Sequence, residues 1–107
     1  MTTTDLTTPS GPVAIPTIGF GVWQVPDEVD AAVSEALATG YRHVDTARLY
    51  GNEAGVGRAL AASDVPRDDV FVTTKVGNDD HGRDRTLAAF DASMTRLGLD
   101  VLDLFLR

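Results

Sequence analysis

Short β-type runs alternate with segments of helical period along this chain, and that order constrains the fold more than any other feature. Residues 12–16 and 17–23 are punctuated by Pro and Gly, which predicts a small hairpin and then a first core strand. Asp27 opens a helix in which Val29, Ala32, Val33, Ala36 and Leu37 share one face, and Gly40 ends it. Residues 41–46 read as a short strand with Asp45 near its end. Asn52 is placed to cap the next helix, whose Val56, Ala59 and Leu60 share a face before Pro66 breaks the chain. Residues 70–75 are β-branched and apolar, the pattern of a buried strand. After the polar loop 77–83, Asp84 or a neighbour starts a third helix with Leu87, Phe90, Met94 and Leu97 inward, stopped by Gly98. Residues 101–106 form a fourth strand.

Strand–helix alternation of this kind specifies parallel strands joined by right-handed crossovers. Two architectures compete, an open doubly wound sheet and a (βα)8 barrel. Open sheets that bind dinucleotides carry Gly-x-Gly-x-x-Gly after the first strand. Gly19-Phe20-Gly21 lacks the third glycine, as does Gly55-Val56-Gly57, and no Gly-Lys-Ser/Thr phosphate loop is present. In barrels, reactive side chains sit at the C-terminal ends of several strands. Asp45 ends the second strand, Tyr50 lies in the loop after it, and Lys75 ends the third, so all three converge on one rim. This favours the barrel, of which four parallel strands and three helices make the N-terminal half.

The net charge of −7, without a basic cluster, argues against nucleic acid or an anionic membrane surface as partner. With no cysteine there is no disulfide, thiolate metal site or cysteine nucleophile, and no metal site is expected. Residues 1–11 are Thr-rich and lack both basic residues and an apolar segment, so they read as a disordered tail, not a signal peptide, ahead of a domain over 12–107. No stretch approaches the ~20 apolar residues of a membrane span. A cytoplasmic, soluble protein is expected.

Lys75 is the sole lysine; the other eight basic residues are arginine. Arginine stays charged in any protein setting, whereas a lysine ammonium is compact and responsive to its neighbours. A tyrosine hydroxyl alone ionises near pH ~10, and an adjacent ammonium favours the phenolate. A carboxylate such as Asp45 would keep that ammonium charged in a partly dry pocket. Carboxylate, ammonium and phenol together form a relay suited to protonating a carbonyl oxygen while hydride arrives at carbon. Each residue also has a plain structural reading, as packing tyrosine, turn-forming aspartate or leftover basic residue.

Gly40-Tyr41-Arg42-His43-Val44-Asp45-Thr46-Ala47, five further residues, then Glu53, Val56 and Gly57 resemble the first signature of the aldo-keto reductases. The similarity extends to residues 15–23, to Val72-Thr73-Thr74-Lys75 and to residues 96–105, in the style of diketogluconate-reductase-like members. The resemblance implies a (βα)8 barrel that reduces aldehydes or ketones with NADPH, or NADH as the alternative. It implies Tyr50 as general acid, Lys75 as the group that eases its proton loss, and Asp45 as the partner of Lys75 that also helps seat the cofactor. Gly21, Val22 and Trp23 would line the nicotinamide and substrate pocket, and Tyr50 and His81 would join Trp23 against the small-molecule carbonyl substrate. His81 is otherwise a solvated loop residue, His43 a filler of the barrel interior, and Arg48 and Arg58 surface charges.

Two departures stand out. Gly77 takes a place where many relatives carry a bulky aromatic. The family's catalytic histidine follows the fourth strand, and the sequence reaches Arg107 one position before it. A (βα)8 barrel needs ~250 residues, so under half of one is expected here. An inward apolar face and two open edge strands would then favour self-association. A reductase portion and a non-catalytic remnant are the two readings, with a regulatory binding role third.

Overall fold

The computed structural model describes residues 3–9, 11–23, 25 and 28–106. Strands β1 (Thr3–Thr8) and β2 (Gly11–Pro16) form an antiparallel hairpin with Thr3 opposite Pro16 and Thr8 opposite Gly11. Then follow β3 (Phe20–Gly21), α1 (Val29–Thr39), β4 (His43–Asp45), α2 (Glu53–Ala62), β5 (Phe71–Lys75), α3 (Arg83–Leu97) and β6 (Leu104–Leu106). Strands β3 to β6 build one four-stranded parallel sheet in sequence order. The expected strand–helix alternation is therefore present, and β3 and β6 are the sheet's edges.

For residues 3–8 and 11, the hairpin corrects the reading of residues 1–11 as a disordered tail. Threonine's branched Cβ favours extended backbone, and pairing with β2 supplies the ladder that a polar run cannot earn from burial. Most of β1 stays exposed, as its composition requires. Asp27, read as the start of the first helix, lies outside the described residues.

The helices cover one face of the sheet. Val33 and Leu37 of α1, Val56 and Ala59 of α2, and Leu97 of α3 meet Val44 and Val72 in a single apolar core. Gly40 and Gly98 end α1 and α3 in the left-handed region, at φ of +120° and +67°. Of the four residues expected inward on α3, Leu87 is 54% exposed. Only the later turns of that helix pack inward, where Phe90 meets Phe105 edge-on at 5.4 Å and Leu97 is buried.

Two glycines set the spacing of the helical layer. A Cβ on Gly57 would collide with the backbone carbonyl of Leu97 at the end of α3. A Cβ on Gly55 would collide with Val29 Cγ1 of α1. Helix α2 is thereby wedged between its neighbours closely enough that only backbone fits at both contacts.

Candidate active site

Register places the reactive groups at one end of the sheet. Asp45 is the last residue of β4 and pairs with Thr73, so Lys75 lies two residues further along β5 on the same face. Its ammonium reaches back to form an ion pair with Asp45 Oδ1. The same nitrogen donates to Tyr50 Oη at 3.4 Å and to the Thr46 carbonyl at 3.3 Å, and it sits 5.2 Å from the centre of the Tyr50 ring. Tyr50 is carried there by a 3-10 turn, Arg48–Tyr50, whose last N–H bonds the Ala47 carbonyl. The side chains of Lys75 and Asp45 are 31% and 37% exposed, so the relay is open to a small molecule yet partly screened from water.

The remaining predicted residues divide. Gly21 pairs with Asp45 across β3 and β4, and the space where its Cβ would stand is open. Trp23 follows it at the strand's C-terminal end, 66% exposed. Val22 is different: its side chain is fully buried in the helix-facing core, so it offers the rim only backbone. A strand as short as β3 gives periodicity too few residues to fix which face each side chain takes. His81 is exposed in the loop between β5 and α3, and no hydrogen bond joins it to Asp45, Tyr50 or Lys75 among the described residues. His43 shares the inner face, bonded to Thr73 Oγ1 at 2.9 Å and edge-on to Phe71. With His43, Asp45, Thr73 and Lys75 upon it, that face is not the apolar surface expected from the sequence. Between it and the hairpin lies a cavity of about 370 Å³ lined by Ile15, Pro16, Gly21, His43 and Asp45.

Three other residues were legible only in part. Asn52 precedes α2 as expected, but its side chain makes no cap. It accepts from Thr46 Oγ1 at 2.8 Å and donates to Val22 O at 2.9 Å and Val25 O at 3.4 Å. Glu53 is buried and receives Thr74 Oγ1 at 2.6 Å and Arg96 Nε at 2.7 Å. Gly77 is buried with Asp80 and Arg48 folded over it, a Cβ there coming within 3.2 Å of Asp80 Oδ2. Away from the rim, Arg58 holds both carboxylate oxygens of Asp30, at 2.8 and 3.1 Å. That hydrogen bonding keeps the Asp30 carboxyl below the usual carboxylate range and raises the Arg58 guanidinium. Among the described residues no cluster of three or more His, Asp or Glu could hold a metal ion, and no helix is long and apolar enough to cross a membrane.

Comparison with known proteins agrees with this fold. The Aldo/keto reductase family matches residues 17–107. An aldo-keto reductase of Mycolicibacterium smegmatis is 57% identical over 94 residues, which are 87% of this chain and 34% of that protein. A crystal structure of an aldo/keto reductase from Brucella melitensis superposes with a TM-score of 0.87 at 50% identity, over 97% of this chain and 41% of that one. The Bombyx mori aldo-keto reductase, solved in complex with NADP, superposes with a TM-score of 0.83 at 35% identity, over 98% of this chain and 38% of that one. The chain thus spans about a third of the length of the curated relatives it matches. Its parallel sheet, three helices and leading hairpin correspond to the N-terminal portion of their (βα)8 barrel. The chain belongs to the aldo/keto reductase family.

Proposed function

We propose that this chain carries the proton-delivering part of an NAD(P)H-dependent carbonyl reductase, with NADPH as the expected cofactor and an aldehyde or ketone as substrate. One observation carries the reading: a single ammonium, Lys75 Nζ, is shared between a carboxylate and a tyrosine hydroxyl at the C-terminal rim of a parallel sheet.

The residues present suit one end of such a cofactor. Trp23 offers an exposed aromatic wall, Gly21 leaves the space beside it clear, and Asp45 offers a half-exposed carboxylate to a sugar hydroxyl. When bound, the nicotinamide supplies the hydride. The chain's own part is to place and move the proton. Tyr50 donates from Oη to the carbonyl oxygen as charge develops there. Lys75 stabilises the phenolate left behind, and Asp45 and the Thr46 carbonyl fix the ammonium in place. Trp23 limits how the carbonyl can approach.

The test is NADPH oxidation with a panel of aldehydes and ketones, alongside quenching of Trp23 fluorescence by NADPH. Tyr50→Phe is expected to lower turnover about 10²–10⁴-fold, the usual worth of a positioned acid. Turnover unchanged in Tyr50→Phe would remove the acid from Tyr50. A folded sample that neither turns over nor shows quenching would support a non-catalytic role instead.

A further inference from the structure

Asn52 stands one residue before α2 and holds the best-known side chain for capping that helix, yet it spends its side chain elsewhere. Its amide nitrogen faces two carbonyls, Val22 O and Val25 O, and its amide oxygen faces the Thr46 hydroxyl. The opposite flip would set an oxygen against two oxygens, so the network itself fixes the orientation. Both side chains are removed from water, with Asn52 at 4% and Thr46 at 0% exposure.

Each end of this network leads to the rim. Val25 N–H closes a turn onto Val22 O at 3.2 Å, and Trp23 lies inside that turn. Trp23 is 66% exposed, so little packing holds the indole and its place depends on the turn's backbone. At the other end, Thr46 gives its carbonyl to Lys75 Nζ at 3.3 Å and its N–H to Thr73 O at 2.8 Å. An unbroken series of hydrogen bonds therefore runs from the Trp23 turn through Asn52 and Thr46 to the ammonium beside Tyr50.

We propose that Asn52, acting through Thr46, is a positioning residue that holds the Trp23 wall in register with the Asp45–Lys75–Tyr50 relay. It touches neither substrate nor cofactor. Its role is to fix the distance between the wall against which a carbonyl lies and the hydroxyl that protonates it. What the wall and relay accomplish rests on the carbonyl-reductase reading; the tie between them does not.

Asn52→Asp keeps the shape and replaces the donor with an oxygen facing two carbonyls. Thr46→Val removes the hydroxyl and leaves the Thr46 backbone bonds intact, and Thr46→Ser restores it. Because Trp23 is the sole tryptophan, its anisotropy and acrylamide quenching report on this turn alone. Both disrupting variants should lower the anisotropy and raise the quenching constant about twofold at temperatures where circular dichroism shows a folded chain, with Thr46→Ser near the parent. In turnover, kcat should fall about tenfold while KM for the carbonyl stays within about threefold, the pattern of a lost alignment between carbonyl and acid. A folded Asn52→Asp and Thr46→Val whose Trp23 signals match the parent would overturn the tie, even with a lowered Tm. If Asn52→Asp does not fold, Thr46→Val decides; if neither folds, the network is a folding element and the proposal fails. A parent chain with neither turnover nor quenching by NADPH, but with Trp23 loosened in both variants, would uphold the tie and sink the reductase reading.

Discussion

Thr74 and Lys75 are neighbours on β5, yet they serve carboxylates in opposite surroundings. Thr74 points to the helical side and bonds Glu53, whose side chain is 1% exposed and also paired with Arg96. Lys75 points to the inner face and pairs with Asp45, where both side chains are about a third exposed. One strand thus divides a sealed polar contact from an accessible one. A sealed pair has no water to replace a lost partner, so its geometry is fixed and its removal is costly. The accessible pair can exchange partners with a bound molecule, which is what the proposed proton delivery needs.

Three experiments break or sharpen this contrast. Glu53→Ala leaves the buried Thr74 hydroxyl without its acceptor and Arg96 without its carboxylate, and chemical denaturation should show a loss of about 1.5–3 kcal/mol. Lys75→Met should cost no more than ~1 kcal/mol by the same measurement, since partly exposed pairs contribute little. On the proposed carbonyl-reductase reading, its turnover should nevertheless collapse. A loss of stability in Lys75→Met as large as in Glu53→Ala would erase the distinction. The smallest effect belongs to the surface pair Asp30–Arg58. Arg58 holds the Asp30 carboxyl low, so the folded chain binds fewer protons there than the unfolded chain. The contribution is complete above the ordinary carboxylate value of ~3.9 and fades as pH falls through the lower folded value. Tm curves of the parent and Asp30→Asn should therefore converge in acid, and converge also at high salt.

Strand order and helix faces were legible because periodicity encodes them: Val33, Val56 and Leu97 fall inward as read. Lys75, Asp45 and Tyr50 were legible because a lone lysine at a strand end asks for partners, and topology brings those two to it. The pairing of β1 was not, because a Thr-rich run shows no apolar alternation to mark a strand. Nor was the work of Asn52, whose partners are chiefly backbone carbonyls up to 30 residues away. Any residue type can supply a carbonyl, so no pattern of side chains announces such a bond. Glu53 was visible as a motif position but not as a buried carboxylate paired with Arg96, because Arg96 lies 43 residues on.

The close seating of α2 has a consequence for how the rim comes into being. Ten residues are marginal for an isolated helix, and each interior glycine lowers helicity by a further ~1 kcal/mol relative to alanine. Gly55 and Gly57 leave α2 unable to persist as a helix until α1 and α3 stand on either side of it. Asn52 and Glu53, at its first turn, acquire their places in that same event. The mouth of the site is thus assembled by the folding of the whole helical layer, not grafted onto a layer already formed.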